Sequence, residues 1–414
     1  MHHQPDSRGS RRALSSRTLH DFLHKESAGA ALIAIGAASA LLWANSPWSD
    51  SYESLWSNRI ALRILGQSLD FDLRHWVNDG FMTIFFFVVG LEIKRELSVG
   101  HLSKRRAALL PGVAALGGML VPALIYLAIA GSSAPRGWAI PVATDIALAV
   151  GVISVMGRKV PASLRAFLLG LAIIDDIGAI IIIATVYARG ISVGWLLVSG
   201  LGVVVVVIAR RIGVQLVLPY VAIGGVIWIA LYQGGVHPTL AGVVMGLLTP
   251  VVTPRGEITE AVSVIERLQR VLHPWTSFLI VPIFALANSG ISLSLSGLRD
   301  AAGSAVTWGV FLGLLVGKPL GVSLTTRIAI RSGLSDQPDG ATTTQIIGVG
   351  MAAGIGFTVA MFITELALTD PIQRQDAKLA IFLASVVAAA LAMLLLKLPT
   401  IRRVRIISDD EQGK

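Results

Sequence analysis

Long apolar runs separated by short polar segments dominate the chain from residue 28 to residue 398. A transmembrane helix needs about 20 mainly apolar residues. Twelve stretches approach that length, at 28–44, 76–97, 107–130, 138–156, 163–187, 191–209, 212–232, 236–250, 272–290, 304–326, 345–368 and 377–398. The pattern predicts an all-α polytopic membrane protein with about twelve transmembrane helices. The chain then divides into a tail (1–27), a single transmembrane domain (28–398) and a second tail (399–414).

Residues 45–75 form the one sizeable loop on their side of the predicted membrane, and apolar residues alternate with polar ones within it. The alternating residues are Ile60, Leu62 and Ile64, then, beyond Gly66-Gln67, Leu69, Phe71 and Leu73. Period two on both sides of a short break predicts a β-hairpin. An isolated hairpin is marginally stable in water, so we expect it to pair with a second copy of the chain in a homodimer.

Composition supports a membrane protein, since 54% of the 414 residues are hydrophobic and 14% are charged. The mean hydropathy is +0.73, and soluble domains carry about 25% charged residues, so an ordinary soluble enzyme is excluded. The chain contains no cysteine, which excludes a disulfide framework and a Cys-ligated metal. A nucleic-acid partner is not expected, because the basic residues lie in short clusters between apolar runs instead of forming one basic face.

The distribution of basic residues predicts an orientation. Segments on one side of the twelve spans contain 25 Lys and Arg, whereas segments on the other side contain 8. Cytoplasmic loops are enriched in Lys and Arg, so both tails are predicted to be cytoplasmic and the 45–75 loop external.

Four ionisable residues lie deep within the predicted spans: Asp145, Asp175, Asp176 and Lys318. Each costs about 2.5–3.5 kcal/mol at a helix centre, so such groups pair with one another or line a wet cavity. Adjacent helical residues point about 100° apart, so one aspartate of the 175/176 pair can face a pore while the other meets a neighbouring helix. Close carboxylates resist joint ionisation, which suits a site that takes either a hard cation or a proton. Lys318 is expected to neutralise one aspartate when no cation is bound.

Two predicted spans contain helix breakers. Span four contains Pro141 shortly before Asp145, and span eleven contains Gly348, Gly350, Gly354 and Gly356. Each is the middle span of a group of three, spans 3–5 and spans 10–12, and the two spans cross the membrane in opposite directions. Interrupted helices at corresponding positions of inverted repeats indicate a transporter site, where Asp145 would neutralise the positive helix ends.

Six sequence blocks, in this order, resemble the NhaA family of bacterial sodium/proton antiporters, and the similarity extends from about residue 20 to residue 398. The blocks are GLEIKREL (90–97), ATDIA (143–147), LAIIDDIG (171–178), GVH (235–237), LHPW (272–275) and VGKPL (316–320). The resemblance implies a bacterial inner-membrane protein in which Asp175 and Asp176 hold Na⁺ transiently or take up protons, with Asp176 the main ligand. It also implies that Thr144 is an accessory site residue, that Asp145 belongs to the cation- and proton-binding site, and that Asp145 and Lys318 balance charge where spans four and eleven cross.

The same resemblance links several polar residues to the pH response: Glu92, Arg95, Glu96 and His237. Glu266 and His273 are further candidates, because a pH switch needs titratable groups and these two are expected at or near the cytoplasmic side. One departure concerns Gln269, where family members often carry glutamate, and its neighbour Arg270 also differs. The pH set point is therefore expected to differ from that of other members.

Together these features predict an electrogenic antiporter that exports sodium, and by expectation lithium, in exchange for external protons by alternating access. Its role would be pH and sodium homeostasis, and it would be a secondary transporter without a cofactor, not an enzyme. Three alternatives stay open: a transporter of another solute, a passive cation channel and an intramembrane aspartyl protease. The protease fits poorly, because the adjacent residues Asp175 and Asp176 cannot face each other across one water, although Asp145 could serve as a partner for Asp175.

Overall fold

The computed structural model describes residues 27–64, 67–214, 216–251 and 264–397, so the predicted tails lie almost wholly outside the described residues. Helices occupy most of this part of the chain. They are α1 Ser27–Ala44, α2 Ser49–Ser57, α3 Leu73–Ser98, α4 Arg105–Ala130, α5 Ile146–Val155, α6 Ala162–Val186, α7 Val193–Arg211, α8 Val217–Gln233, α9 Leu240–Leu248, α10 Val264–Asn288, α11 Leu295–Gly303, α12 Ala305–Arg331, α13 Thr343–Ala353, α14 Phe357–Ala367 and α15 Pro371–Lys397.

All twelve predicted spans fall on helices, which confirms the all-α polytopic fold. Within the described residues, nine helical stretches are long and apolar enough to cross a membrane, and the bent pair α13–α14 makes a tenth. Predicted spans seven and eight correspond to α8, with 17 residues, and α9, with 9 residues. At 1.5 Å per residue α9 is about 14 Å long, so by itself it does not cross a hydrocarbon core of about 30 Å.

The outer surface of α4 shows why the fold needs a bilayer. Leu116, Leu120 and Leu124 are 55%, 61% and 63% exposed, and residues four apart lie on one helix face. A continuous exposed leucine stripe is unfavourable in water and suits contact with lipid chains.

Helix α4 packs closely against α12 at two facing glycines. A Cβ on Gly117 would lie 2.5 Å from the carbonyl oxygen of Gly321, and a Cβ on Gly321 would lie 2.1 Å from that of Gly117. Small residues allow this approach of two backbones, as is usual between membrane helices. The contact places Lys318, one turn before Gly321, in the interior.

The predicted hairpin is confirmed, as strand β1 (Arg59–Ile64) pairs antiparallel with strand β2 (Gln67–Asp72). Its boundaries differ from the prediction, since Gln67 pairs with Ile64 and belongs to β2 and not to the turn. Leu73 does not extend the strand but begins α3, and the helix α2 within the same loop was not predicted. We call the end of the molecule that carries β1, β2 and the start of α3 the hairpin side.

The hairpin and α2 are both anchored to the helices. Leu69 and Phe71 of β2 are buried and pack against Ile229 of α8. On α2, Glu53 accepts hydrogen bonds from Nη1 and Nη2 of Arg74, at 3.1 and 2.9 Å. The guanidinium of Arg74 therefore lowers the pKa of the Glu53 carboxyl below its ordinary value.

Candidate ion-binding site

Two broken helices cross in the interior. In predicted span four, a 3₁₀-helix (Pro135–Val142) and α5 are separated by the non-helical residues 143–145. In span eleven, α13 and α14 are separated by residues 354–356 and meet at a bend of 44°. The backbone N–H of Asp145 donates to the carbonyl oxygen of Ile355 at 2.6 Å, so the two breaks are in direct contact.

Asp145 caps two helix N-termini at this crossing. Its Oδ1 accepts a hydrogen bond from the backbone N–H of Leu148 in α5 at 3.0 Å. Its Oδ2 accepts from the backbone N–H and the hydroxyl of Thr358 in α14, at 3.0 and 2.7 Å. A carboxylate at a helix N-terminus is stabilised by the free N–H groups and by the positive end of the dipole. Asp145 therefore contacts the N-terminal ends of both α5 and α14, where the sequence led us to expect a negative charge.

Asp175 of α6 is paired with a lysine and a hydroxyl. Its Oδ2 lies 2.7 Å from Lys318 Nζ and 2.7 Å from Thr144 Oγ1, and both charged side chains are fully buried. Thr144 Oγ1 is also within 2.9 Å of the carbonyl oxygen of Ala353. A hydroxyl carries one proton, so Thr144 donates to only one of these two oxygens at a time.

Lys318 also donates to the carbonyl oxygen of Val142, at the C-terminal end of the 3₁₀-helix. Its ammonium group therefore interacts with a carboxylate and with a negative helix end together. The sequence Gly317-Lys318-Pro319 positions it, because a π-helical turn (Gly313–Gly317) ends immediately before it. π-turns are rare and occur frequently at functional sites.

Asp176, the neighbour of Asp175, is 5% exposed. Its Oδ1 and the Oδ1 of Asp175 are buried and accept no hydrogen bond from the residues that the structure describes. Unpaired buried carboxylate oxygens are costly, and hard cations prefer oxygen ligands. A cation or a proton at these oxygens would therefore remove an unfavourable feature of the protein.

The structure separates the candidates for the pH response into two groups. Glu92, Arg95 and Glu96 lie near the C-terminal end of α3, and Glu266 and His273 lie on α10, which packs against that part of α3. Arg95 Nη1 lies 3.4 Å from Gln269 Oε1, so Gln269 contacts this group of residues. Within this first group, Glu92 interacts electrostatically with Asp176, and the two like charges repel each other.

His237 lies away from that group, at a cavity of about 370 Å³ on the hairpin side. We call this space the hairpin-side cavity; it is lined by His75 and Asp79 of α3, by His237, by Phe362 and Glu365 of α14 and by Arg374 of α15, among others. The imidazole nitrogens Nε2 of His75 and His237 lie 3.0 and 3.5 Å from the carboxylate of Asp79.

Sequence reasoning missed three polar residues at these places. Thr358 was not considered, although its position directly after the glycine-rich break was a usable signal. Asp79 and Glu365 also lie within predicted spans, and both side chains are at most 16% exposed. The sequence analysis considered neither of these two residues, because both lie near the ends of their spans.

Broken helices that cross at buried carboxylates define a secondary active transporter rather than an enzyme. The profile of the family described as Na+/H+ antiporter 1 matches residues 20–396. Similar proteins are Na(+)/H(+) antiporter NhaA 2 of Myxococcus xanthus, 44% identical over 92% of this chain and 89% of its own, and Na(+)/H(+) antiporter NhaA of Acidovorax sp., 46% identical over 89% of each chain. A third, from Shewanella frigidimarina, is 42% identical over 90% of this chain and 94% of its own. The chain therefore belongs to the Na+/H+ antiporter 1 family, and its substrates are Na⁺ and H⁺.

Proposed function

We propose that this antiporter exchanges Na⁺ for protons at Asp175 and Asp176 by alternating access. The observation that carries the proposal is the pair of buried, unpartnered carboxylate oxygens beside the Lys318–Asp175 ion pair. Sodium binds at these oxygens with Asp176 as the main ligand and Thr144 as an accessory ligand. Protons compete for the same oxygens, so sodium and protons occupy the site in alternation.

Asp145 and Lys318 balance charge in this proposal and do not carry the ion. Asp145 is occupied by helix ends and by Thr358, whereas Lys318 offsets the charge of Asp175 when sodium is absent. If both site carboxylates exchange their protons for one Na⁺, a net charge crosses the membrane in each cycle. Transport is then electrogenic, and the membrane potential drives sodium export.

The contacts of these residues disfavour the aspartyl protease alternative. Both oxygens of Asp145 accept hydrogen bonds from helix ends, and Asp175 is paired with Lys318. An aspartyl protease needs two carboxylates that share one proton, and neither of these is available for that role.

The decisive experiment compares the parent protein with Asp176→Asn in everted vesicles that carry an imposed pH gradient. Sodium, lithium and potassium are added in turn, and we expect sodium and lithium to dissipate the gradient in the parent only. Asp376→Asn is the matched control, because Asp376 is 9% exposed and belongs to α15, outside the site. Activity of Asp176→Asn near that of the parent would place the site elsewhere.

The orientation follows from the excess of basic residues on one side of the spans, 25 against 8. We infer that both termini are cytoplasmic, that the hairpin side is external and that the protein resides in the bacterial inner membrane. Since the chain contains no cysteine, single cysteines can be introduced in the hairpin and in the C-terminal tail. An impermeant thiol reagent added to intact cells lacking their outer membrane should label the hairpin cysteine only.

The hairpin is also proposed as the contact between two copies of the chain. Among the residues that the structure describes, β2 is the one strand that pairs with β1, along one edge. Ile60 and Leu62 of β1 are 43% and 42% exposed. An edge strand with exposed apolar residues favours pairing with a second strand. Ile60→Lys combined with Leu62→Lys should convert a dimer into a monomer in detergent, as measured by light scattering. An unchanged mass would refute this contact.

A further inference from the structure

Three charged side chains join α14 to α15 on the hairpin side. Oε1 of Glu365 lies 2.5 Å from Nζ of Lys378, and Oε2 of Glu365 lies 3.0 Å from Nη1 of Arg374. The side chains of Glu365, Lys378 and Arg374 are 16%, 14% and 33% exposed, so all three are largely buried. Arg374 and Lys378 are four residues apart on α15 and therefore lie on one helix face. We call Glu365, Arg374 and Lys378 the ion triad.

The place of Glu365 within α14 is not favoured by α14 itself. Glu365 is the one charged residue of this helix and lies in its last turn. A carboxylate is unfavourable there, because the C-terminal end of a helix dipole is also negative. The two cations of α15 therefore stabilise the carboxylate. A buried ion pair often adds little net stability, but in some proteins it specifies one arrangement of the helices.

Helix α14 needs such a contact, because it does not take its position from α13. Residues 354–356 interrupt the helix between the two, which meet at a bend of 44°. Contacts with other elements must therefore hold α14 in place. Among its polar contacts, Thr358 binds Asp145 at one end, and the ion triad holds the other end on α15.

The two ends of α14 belong to one continuous helical segment. Thr358 and Glu365 are seven residues apart, which places them on one helix face about 10 Å apart along the axis. The six residues between them, VAMFIT, include no glycine or proline, and all six are buried. A closely packed helix transmits strain along its length. A shift of its C-terminal end therefore displaces Thr358 from Asp145.

We propose that Glu365 is a positioning residue, which through Arg374 and Lys378 fixes α14 on α15 and so keeps Thr358 in contact with Asp145. This inference rests on the charge-balancing role proposed for Asp145, because the crossing is complete only when α14 is in place. Without the ion triad, the arrangement that binds sodium is populated only in part. The apparent affinity for sodium then falls by that fraction, whereas turnover at saturating sodium is retained.

The first test separates KM from kcat in Na⁺/H⁺ exchange. Glu365→Gln keeps the size of the side chain but removes its charge. Asp376→Asn is the matched control, since it makes the same carboxylate-to-amide change on α15, outside the ion triad. We expect KM for sodium to rise about tenfold in Glu365→Gln, with kcat within about twofold of the parent, and to rise less in Glu365→Asp, which keeps the charge. A merely structural role would lower kcat and leave KM unchanged, and that result would overturn the proposal.

Hydrogen exchange measures the same coupling without transport. The backbone N–H of Thr358 donates to Oδ2 of Asp145 at 3.0 Å, so its exchange rate reports whether the crossing is intact. In detergent, Glu365→Gln should accelerate this exchange about tenfold, whereas Asp376→Asn should not. An unchanged rate in Glu365→Gln would overturn the proposal. Because this measurement needs no sodium, failure of the proposed ion-binding site would be seen separately, in Asp176→Asn.

A bridge between the two helices distinguishes position from charge. The chain has no cysteine of its own, so Glu365→Cys with Lys378→Cys introduces two thiols and removes two charges of the ion triad. A short bifunctional methanethiosulfonate reagent then joins the thiols. We expect the unbridged double variant to show the raised KM, the bridge to restore the KM of the parent, and reduction to raise it again. A KM that stays raised with the bridge in place would assign the effect to the lost charge and overturn the proposal.

Discussion

Replacement of Lys318 by methionine tests whether the buried ion pair holds the site together. Lys318→Met keeps most of the side-chain volume but removes the positive charge 2.7 Å from Asp175, in a pair with no exposed surface on either side. Loss of one partner of a buried pair costs about 3–5 kcal/mol, because the other charge is left uncompensated. The carbonyl of Val142 loses its donor as well, which adds about 1–3 kcal/mol. Protonation of the aspartate limits the total, so we expect a loss of about 3–5 kcal/mol at neutral pH.

The assay is thermal unfolding in detergent, with the parent, Lys318→Met, Lys318→Arg and the double variant Lys318→Met/Asp175→Asn. Lys318→Arg keeps the charge and should lose less stability. The double variant removes both charges and should be more stable than Lys318→Met alone, because a neutral amide does not need a cation. Identical melting of the parent and Lys318→Met, or a double variant no more stable than Lys318→Met, would refute the pairing.

Three further predictions concern other parts of the molecule. If sodium and protons compete at one site, the midpoint of the pH–activity profile should move to lower pH as sodium concentration rises. Gln269→Glu should then have little effect on that midpoint. A midpoint independent of sodium would indicate a separate sensor in the Arg95–Gln269 contact. Gly321→Val should destabilise the fold more than Gly303→Val, because a Cβ on Gly321 meets a backbone atom at 2.1 Å whereas nothing lies within 4 Å of one on Gly303. The pKa of Glu53 is lowered in the folded protein by Arg74, so its stabilisation of α2 is present above the ordinary pKa and is lost as pH falls through the folded value. Hydrogen exchange in α2 should therefore accelerate as the pH falls below the ordinary pKa of a glutamate and through the lower pKa of Glu53 in the folded protein, and Glu53→Gln should remove that dependence.

The apolar runs were sufficient to predict the fold class, because a bilayer demands long helices with satisfied backbone groups. The breaks in spans four and eleven were also readable, since Pro141 and the glycines after Gly348 interrupt otherwise helical sequence. The shortness of α9 could not be predicted from the sequence. The apolar run 236–250 does not show that the first residues of this run form an irregular turn before Leu240. For a similar reason the sequence placed Gln67 in the break between the strands, whereas it pairs with Ile64 in β2; alternation alone does not locate a turn.

For the site, sequence by itself determined which charges lie inside the membrane and that Asp175 and Asp176 must point in different directions, because 100° separates neighbours on any α-helix. Only the tertiary structure decided the partners. Lys318 is 143 residues from Asp175, and Thr358 is 213 residues from Asp145, so no local pattern joins them. These contacts exist because two broken helices cross and bring their free ends together, and such a crossing is set by the packing of the whole bundle. The same packing left two buried carboxylate oxygens, Oδ1 of Asp175 and Oδ1 of Asp176, without a partner among the described residues, and the chemistry of exchange is proposed to occur there.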